Sequence, residues 1–315
     1  MSIKPRCALF AFVAICTSLY CLADTPGETP TTRPSVETAP RVKPPADQAS
    51  EAEKYPSEQL VAVCRKEAQS IQQRLGSGFE VVVSPPFVVA GNMSSERMNH
   101  YARWSVVRPA KAMWASDFRV KPDEAITILL FGDDKSYRSS AKRLFGDERL
   151  PHFGYYKPDK RTLVMNIATG TGTLVHELTH ALIVYDFPAV PTWFNEGLAS
   201  LHEQCNVKED EIVGLLNWRL PALQKAIAAG KLRPLRELLT AGNFYGPQCA
   251  LNYAQARYFC MYMQERKLLR KFYAYFREHH AGTDADVKAV EKDFGRKIED
   301  VEADFLQWAR GLKPV

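Results

Sequence analysis

In "TLVHELTHAL" two histidines stand four residues apart, with a glutamate directly after the first: His176-Glu177-Leu178-Thr179-His180. On an α-helix, residues i and i+4 lie one above the other on the same face. Both imidazoles can therefore aim a ring nitrogen at one metal ion about 2 Å away. Glu177 projects roughly 100° further round, away from easy ligation but beside a water on that ion. This is the geometry of zinc-assisted hydrolysis, with Glu177 as general base. The plainer reading is a solvated helix face that happens to carry two histidines.

A catalytic zinc takes three protein ligands, so a third must come from elsewhere. Glu196 lies sixteen residues past His180, within "PTWFNEGLASLHE". Pro191-Thr192 reads as a helix start with Thr192 as N-cap, which puts Glu196 in the first turn. A helix, the short loop "YDFPAVP" and a second helix returning alongside bring Glu196 to the open side of the histidines. Its other reading is a helix-start glutamate favoured by the macrodipole.

The elements that must hold these helices follow from pattern. Gln59–Leu75 has helical apolar spacing and ends at Gly76. "FEVVVSPPFVVAG" reads as two strands, or one bent strand, broken at Pro85-Pro86. Ser95–Phe118 reads as a helix that Pro109 kinks or divides. "AITILLF" (125–131) is a buried strand, and a helix capped by Asp133 runs to Phe145. "FGYY" and "RTLVMNI" form a hairpin around "KPDK". Thr169-Gly170-Thr171-Gly172-Thr173 lacks the lysine and spacing of a P-loop and reads as a tight strand-to-helix turn. Beyond Thr192 the chain looks almost wholly helical. The fold class expected is α+β: an α/β lobe over about 56–172 and a helical lobe over about 173–315 in one domain, 56–315.

The start of the chain reads differently. Lys4 and Arg6 precede the apolar run Cys7–Leu22, which falls short of the roughly 20 residues that span a bilayer. With Ala23 ahead of a cleavage point, residues 1–23 read as a signal peptide, and the protein as periplasmic or secreted. Residues 24–55 are rich in proline and poor in large apolar side chains, so they read as a disordered linker. Losing Lys4 and Arg6 takes the formal net charge from +5 to +3, dispersed without a long basic run. No nucleic-acid partner and no membrane insertion after cleavage are expected.

"HELTH" followed at this distance by "NEGLAS" resembles the gluzincins, the zinc metallopeptidases grouped around thermolysin and the neutral aminopeptidases. "GLLNWRL" and "YAQARYFCMYM" extend the likeness, which looks closest to secreted bacterial peptidase MA-like proteins. It covers 150–280 well and 80–150 loosely. The resemblance implies a thermolysin-like catalytic domain, one zinc per chain on His176, His180 and Glu196, and Glu177 as base. It also points to Tyr253 as a hydrogen-bond donor to the oxyanion. Helical spacing puts Arg257 on the same side as Tyr253, where it would help bind substrate. "TLVMNI" would then be the edge strand along which gluzincins bind extended peptide. The GxMEN motif of aminopeptidases is missing, so the implied activity is that of an endopeptidase on peptide or protein substrates.

Four cysteines remain beyond the leader: Cys64, Cys205, Cys249 and Cys260. None forms a CxxC pair, and an even count in an exported protein suggests disulfides. Cys205 closes the Glu196 helix and Cys249 opens the Tyr253 segment, so a 205–249 disulfide is expected. Asp186 reads equally as a residue that orients a ligand histidine and as a surface aspartate, whereas His202 sits off the face of Glu196 and is not expected to ligate. Two rival readings stay open: a binding or scaffold module of the same fold with little turnover, and a zinc hydrolase of a non-peptide, cell-wall amide.

Overall fold

The computed structural model describes residues 55–208 and 210–313. The expected signal peptide, its cleavage after Ala23 and the linker up to residue 54 lie outside the described residues. Tyr55, assigned to the linker, belongs to the fold: its ring meets Trp114 edge-on at 5.9 Å and its hydroxyl donates to the Pro122 carbonyl.

The amino-terminal part is a five-stranded mixed sheet covered by helices on both faces. Helix α1 (Glu58–Leu75) starts where the Ser57 side chain accepts the Leu60 amide. Strands β1 (Glu80–Ser84) and β2 (Phe87–Gly91) are antiparallel and parted by Pro85-Pro86, so the first of the two readings of this stretch holds. The run 95–118 holds α2 (Ser95–Tyr101), a π-helical stretch (Ala102–Val107) and α3 (Arg108–Ser116). Pro109 cannot donate to the carbonyl four residues back, and the widened turn just before it absorbs the mismatch that the sequence announces as a kink. Strand β3 (Ile126–Phe131) and α4 (Asp134–Phe145) follow, the latter capped by Asp133, which accepts the Ser136 amide. Strands β4 (Gly154–Lys157) and β5 (Thr162–Asn166) form the hairpin around "KPDK".

The strand order is β1-β2-β3-β5-β4, with β2, β3 and β5 parallel. A central parallel strand is buried on both faces and so reads as a continuous apolar run, which is why all six residues of "ITILLF" are buried. Ile128, Leu130, Leu163 and Met165 face α2, α3 and the histidine helix; Leu129, Phe131 and Val164 face α1 and α4. The expected edge strand is corrected here. "TLVMNI" is interior, paired on both sides, and β4 is the edge on that side of the sheet.

The remainder is helical apart from a small ribbon, β6 (Cys205–Val207) with β7 (Ile212–Gly214). The helices are α5 (Gly172–Asp186), α6 (Thr192–His202), α7 (Leu220–Ala228), α8 (Leu235–Thr240), α9 (Cys249–Glu265), α10 (Leu269–His279), α11 (Thr283–Phe294) and α12 (Ile298–Gly311). Trp193 and Phe194 of α6 enter a ring cluster with Phe259, Phe272 and Phe276. The expected Cys205–Cys249 disulfide is absent. Cys205 sits on the ribbon, which packs against α3, while Cys249 is buried at the start of α9, which packs on α6 and α7. Among the described residues no helix is long and apolar enough to cross a membrane.

Candidate metal centre

The histidine helix leaves the sheet sharply. After β5 the chain makes one 3-10 turn, and Gly170 at φ 108° redirects it into α5, a conformation an L side chain rarely adopts. The Gly-Thr-Gly stretch is thus the tight turn that its composition suggests. Helix α6 begins at Thr192 itself, with Pro191 in the cap position and no capping side chain. Glu196 therefore falls just beyond the first turn, because the chain enters the helix one residue earlier than a threonine cap would require.

The three candidate ligands converge. His176 Nε2 and His180 Nε2 lie 3.0 Å apart, and Glu196 Oε2 is 3.4 Å from each. A tetrahedral ion with bonds of about 2.0–2.1 Å separates its ligand atoms by roughly 3.3–3.4 Å, so the spacing suits such an ion. Glu196 Oε2 is buried without a hydrogen-bond partner among the described residues. A buried carboxylate oxygen left unsatisfied is costly, and a cation between it and the two nitrogens removes that cost. The group His176–His180–Glu196 can therefore hold a metal ion.

A second layer fixes the ring orientations. His180 Nδ1 bonds Asn195 Oδ1 at 2.8 Å, which assigns the proton to Nδ1 and frees Nε2. His176 Nδ1 faces Glu203 Oε1 at 3.2 Å, and Arg219 grips the same carboxylate with both terminal nitrogens. Burial works against the charge on Glu203, yet Arg219 and His176 overcome it and hold the carboxyl down at about 2. For His176 burial again opposes charge, and Glu196 and Glu203 together raise it to about 10. Glu177 is pushed up by burial, the neighbouring histidines pulling the other way, and the backbone amide of Tyr156 on β4 donates to it.

The other expected residues divide. Tyr253 is buried in the wall of the site, its ring 6.4 Å from that of His176 and 5.2 Å from Phe244. Arg257 does not reach the site. It is fully buried and donates to the carbonyls of Ser200 and Leu215, so its guanidinium is used in pinning α6 and the residues after β7 to α9. Asp186 does not orient a histidine either. It sits at the far end of α5, accepting from the amides of Arg119 and Val120, from Tyr273 and from Arg277. His202 lies off the ligand set as expected, bonded to Thr179 Oγ1 at 3.0 Å and kept neutral by burial, its pKa lowered to about 3.

Three contributors escape sequence reasoning: Asn195, which bonds His180, and two more. Glu203 takes the orienting role that was one of the two readings of Asp186. Tyr245, about half exposed in the loop before α9, donates its hydroxyl to Glu196 Oε1 at 2.6 Å. Its only sequence signal is an aromatic pair set between two glycines, "GNFYG". No family model matches the chain, and no curated protein matches it.

Proposed function

We propose that the chain is a zinc-dependent metallopeptidase of gluzincin type that hydrolyses internal peptide bonds outside the cytoplasm. The observation that carries this reading is the convergence of His176, His180 and Glu196 with Glu177 beside them. Two imidazoles and one carboxylate are a donor set suited to zinc with a position left open. Zinc bound there supplies Lewis acidity toward the scissile carbonyl and makes water a nucleophile near neutral pH. Glu177, raised by its burial, accepts the proton of the attacking water and returns it to the leaving amine. Asn195 and Glu203 keep both imidazoles in the orientation that leaves Nε2 available. Tyr253, in the wall beside His176, donates to the oxygen that becomes negative as the tetrahedral intermediate forms. An extended substrate lies along β4, the sheet edge, in the manner of an added strand.

The test is metal analysis of the purified mature protein joined to a peptide-library cleavage screen with and without chelator. One zinc per chain is expected, with metal content falling sharply in His180→Ala and in Glu196→Ala. Cleavage should stop on chelation and return with zinc. Full zinc occupancy in both variants removes the site from consideration, and chelator-insensitive cleavage removes the mechanism.

A further inference from the structure

We infer that Tyr245 is a positioning residue for the ligand Glu196: its phenol commits that carboxylate to one metal-facing oxygen, and its ring covers the carboxylate from solvent. The inference rests on the metal reading above and adds to it a group from a distant part of the chain.

A carboxylate can meet an ion with one oxygen or with both, and what its second oxygen is bonded to decides which. Glu196 is only 6% exposed, so water is a poor candidate for that bond. Oε1 receives the Tyr245 hydroxyl at 2.6 Å, while Oε2 faces both Nε2 atoms at 3.4 Å with no hydrogen-bond donor of its own. The two oxygens thus have separate partners. The phenol suits this task because it donates while neutral, adding no charge to a crowded site.

The loop carrying Tyr245 is built to hold it. Phe244, 3% exposed, anchors the loop in the core, and its carbonyl accepts the Asn252 amide group at 2.6 Å. Arg233 fixes Asn243 at 3.0 Å, and the Gly246 amide closes a turn on the Asn243 carbonyl at 2.9 Å. With its neighbours pinned, Tyr245 keeps its ring at the surface, 52% exposed, and its hydroxyl inward on Glu196. Its ring lies 6.5 Å from that of Tyr253, so the two tyrosines form one wall, the outer member on the ligand and the inner one beside His176. A half-exposed side chain that bonds a buried carboxylate covers that carboxylate from solvent.

The experiment titrates zinc against a chromophoric chelator in wild type, Tyr245→Phe, Tyr253→Phe and His180→Ala, and follows zinc release into excess chelator. Removing a group that orients a ligand typically weakens metal binding by about 10- to 100-fold. That loss and faster release are expected for Tyr245→Phe, with Tyr253→Phe binding as wild type. The cobalt-loaded Tyr245→Phe protein should show an altered visible band as Glu196 gains freedom to use both oxygens. The metal-free variant should melt slightly below metal-free wild type, by no more than one lost hydrogen bond explains, and the loss of zinc affinity is read beside that. Zinc affinity and release within about twofold of wild type, with His180→Ala unable to bind, overturn the inference and leave the metal reading intact. An equal loss in Tyr253→Phe also overturns it. Wild type that binds no zinc overturns reading and inference together.

Discussion

Glu177 is the residue on which the proposed chemistry turns. Its position in HExxH puts it off the ligand face by helical periodicity alone, and the structure adds what periodicity cannot: burial that raises its affinity for a proton. As base and not ligand, Glu177→Gln should retain a full complement of zinc. Its kcat should fall by about 10²–10⁴, the usual contribution of a general base, with KM little changed. Metal analysis beside steady-state kinetics checks both halves, and a variant with wild-type turnover makes the assignment wrong. At this scale the sequence was legible wherever roles follow from spacing along one helix: His176, Glu177, His180 and, through one helical return, Glu196. It was not legible where a long side chain chooses between directions. Arg257 shares a helical side with Tyr253, yet it turns inward to two carbonyls while Tyr253 stays at the site. Glu203 and Tyr245 reach the ligands from the end of a helix and from a loop, where no period marks them.

Helix α6 delivers Glu196, and its seat on α9 sets where that carboxylate points. The two helices meet at Gly197, where an added Cβ would come within 2.9 Å of both the Ala256 carbonyl oxygen and the Cys260 sulfur. The glycine of "NEG" is thus explained by helix packing. Gly197→Ala must part α6 from α9 and so shift Glu196, the adjacent residue, away from the histidines. Overpacking of this kind typically costs about 1–3 kcal/mol. Urea unfolding should show a loss of that size, together with weaker zinc binding. Unchanged stability and affinity mean that the helices yield without moving the ligand. Most elements could be read from punctuation: the proline pair between β1 and β2, the aspartate that starts α4, the glycine after α1. The edge of the sheet could not, because strand order depends on partners distant in sequence, and β5 carries the apolar pattern of a strand whether one neighbour covers it or two.

For the molecule as a whole, an ion at this site joins the two helices that link the mixed sheet to the helical remainder. Anything that binds only the folded chain stabilises it by mass action, about 2.7 kcal/mol when free ligand is a hundred times Kd. Zinc in that excess should raise the melting temperature of wild type, chelation should lower it again, and His180→Ala should respond to neither. Calorimetry at matched protein concentration checks this, and a chelator-insensitive melting point in wild type counts against a tightly held ion. The passage from an α/β first half to a helical second half was visible in sequence because the periods differ. The loop 187–191 between α5 and α6 also has a consequence for the order in which the protein acquires its parts. Closing a loop costs entropy that grows with its length, so contacts between neighbouring elements form more readily than contacts across long separations. His176, His180, Asn195, Glu196 and Glu203 all fall within one helical hairpin, whereas Tyr245 and Tyr253 arrive from a later part of the chain. During synthesis the hairpin that carries these residues is made before the wall that covers it, so the enclosure of the site is completed last.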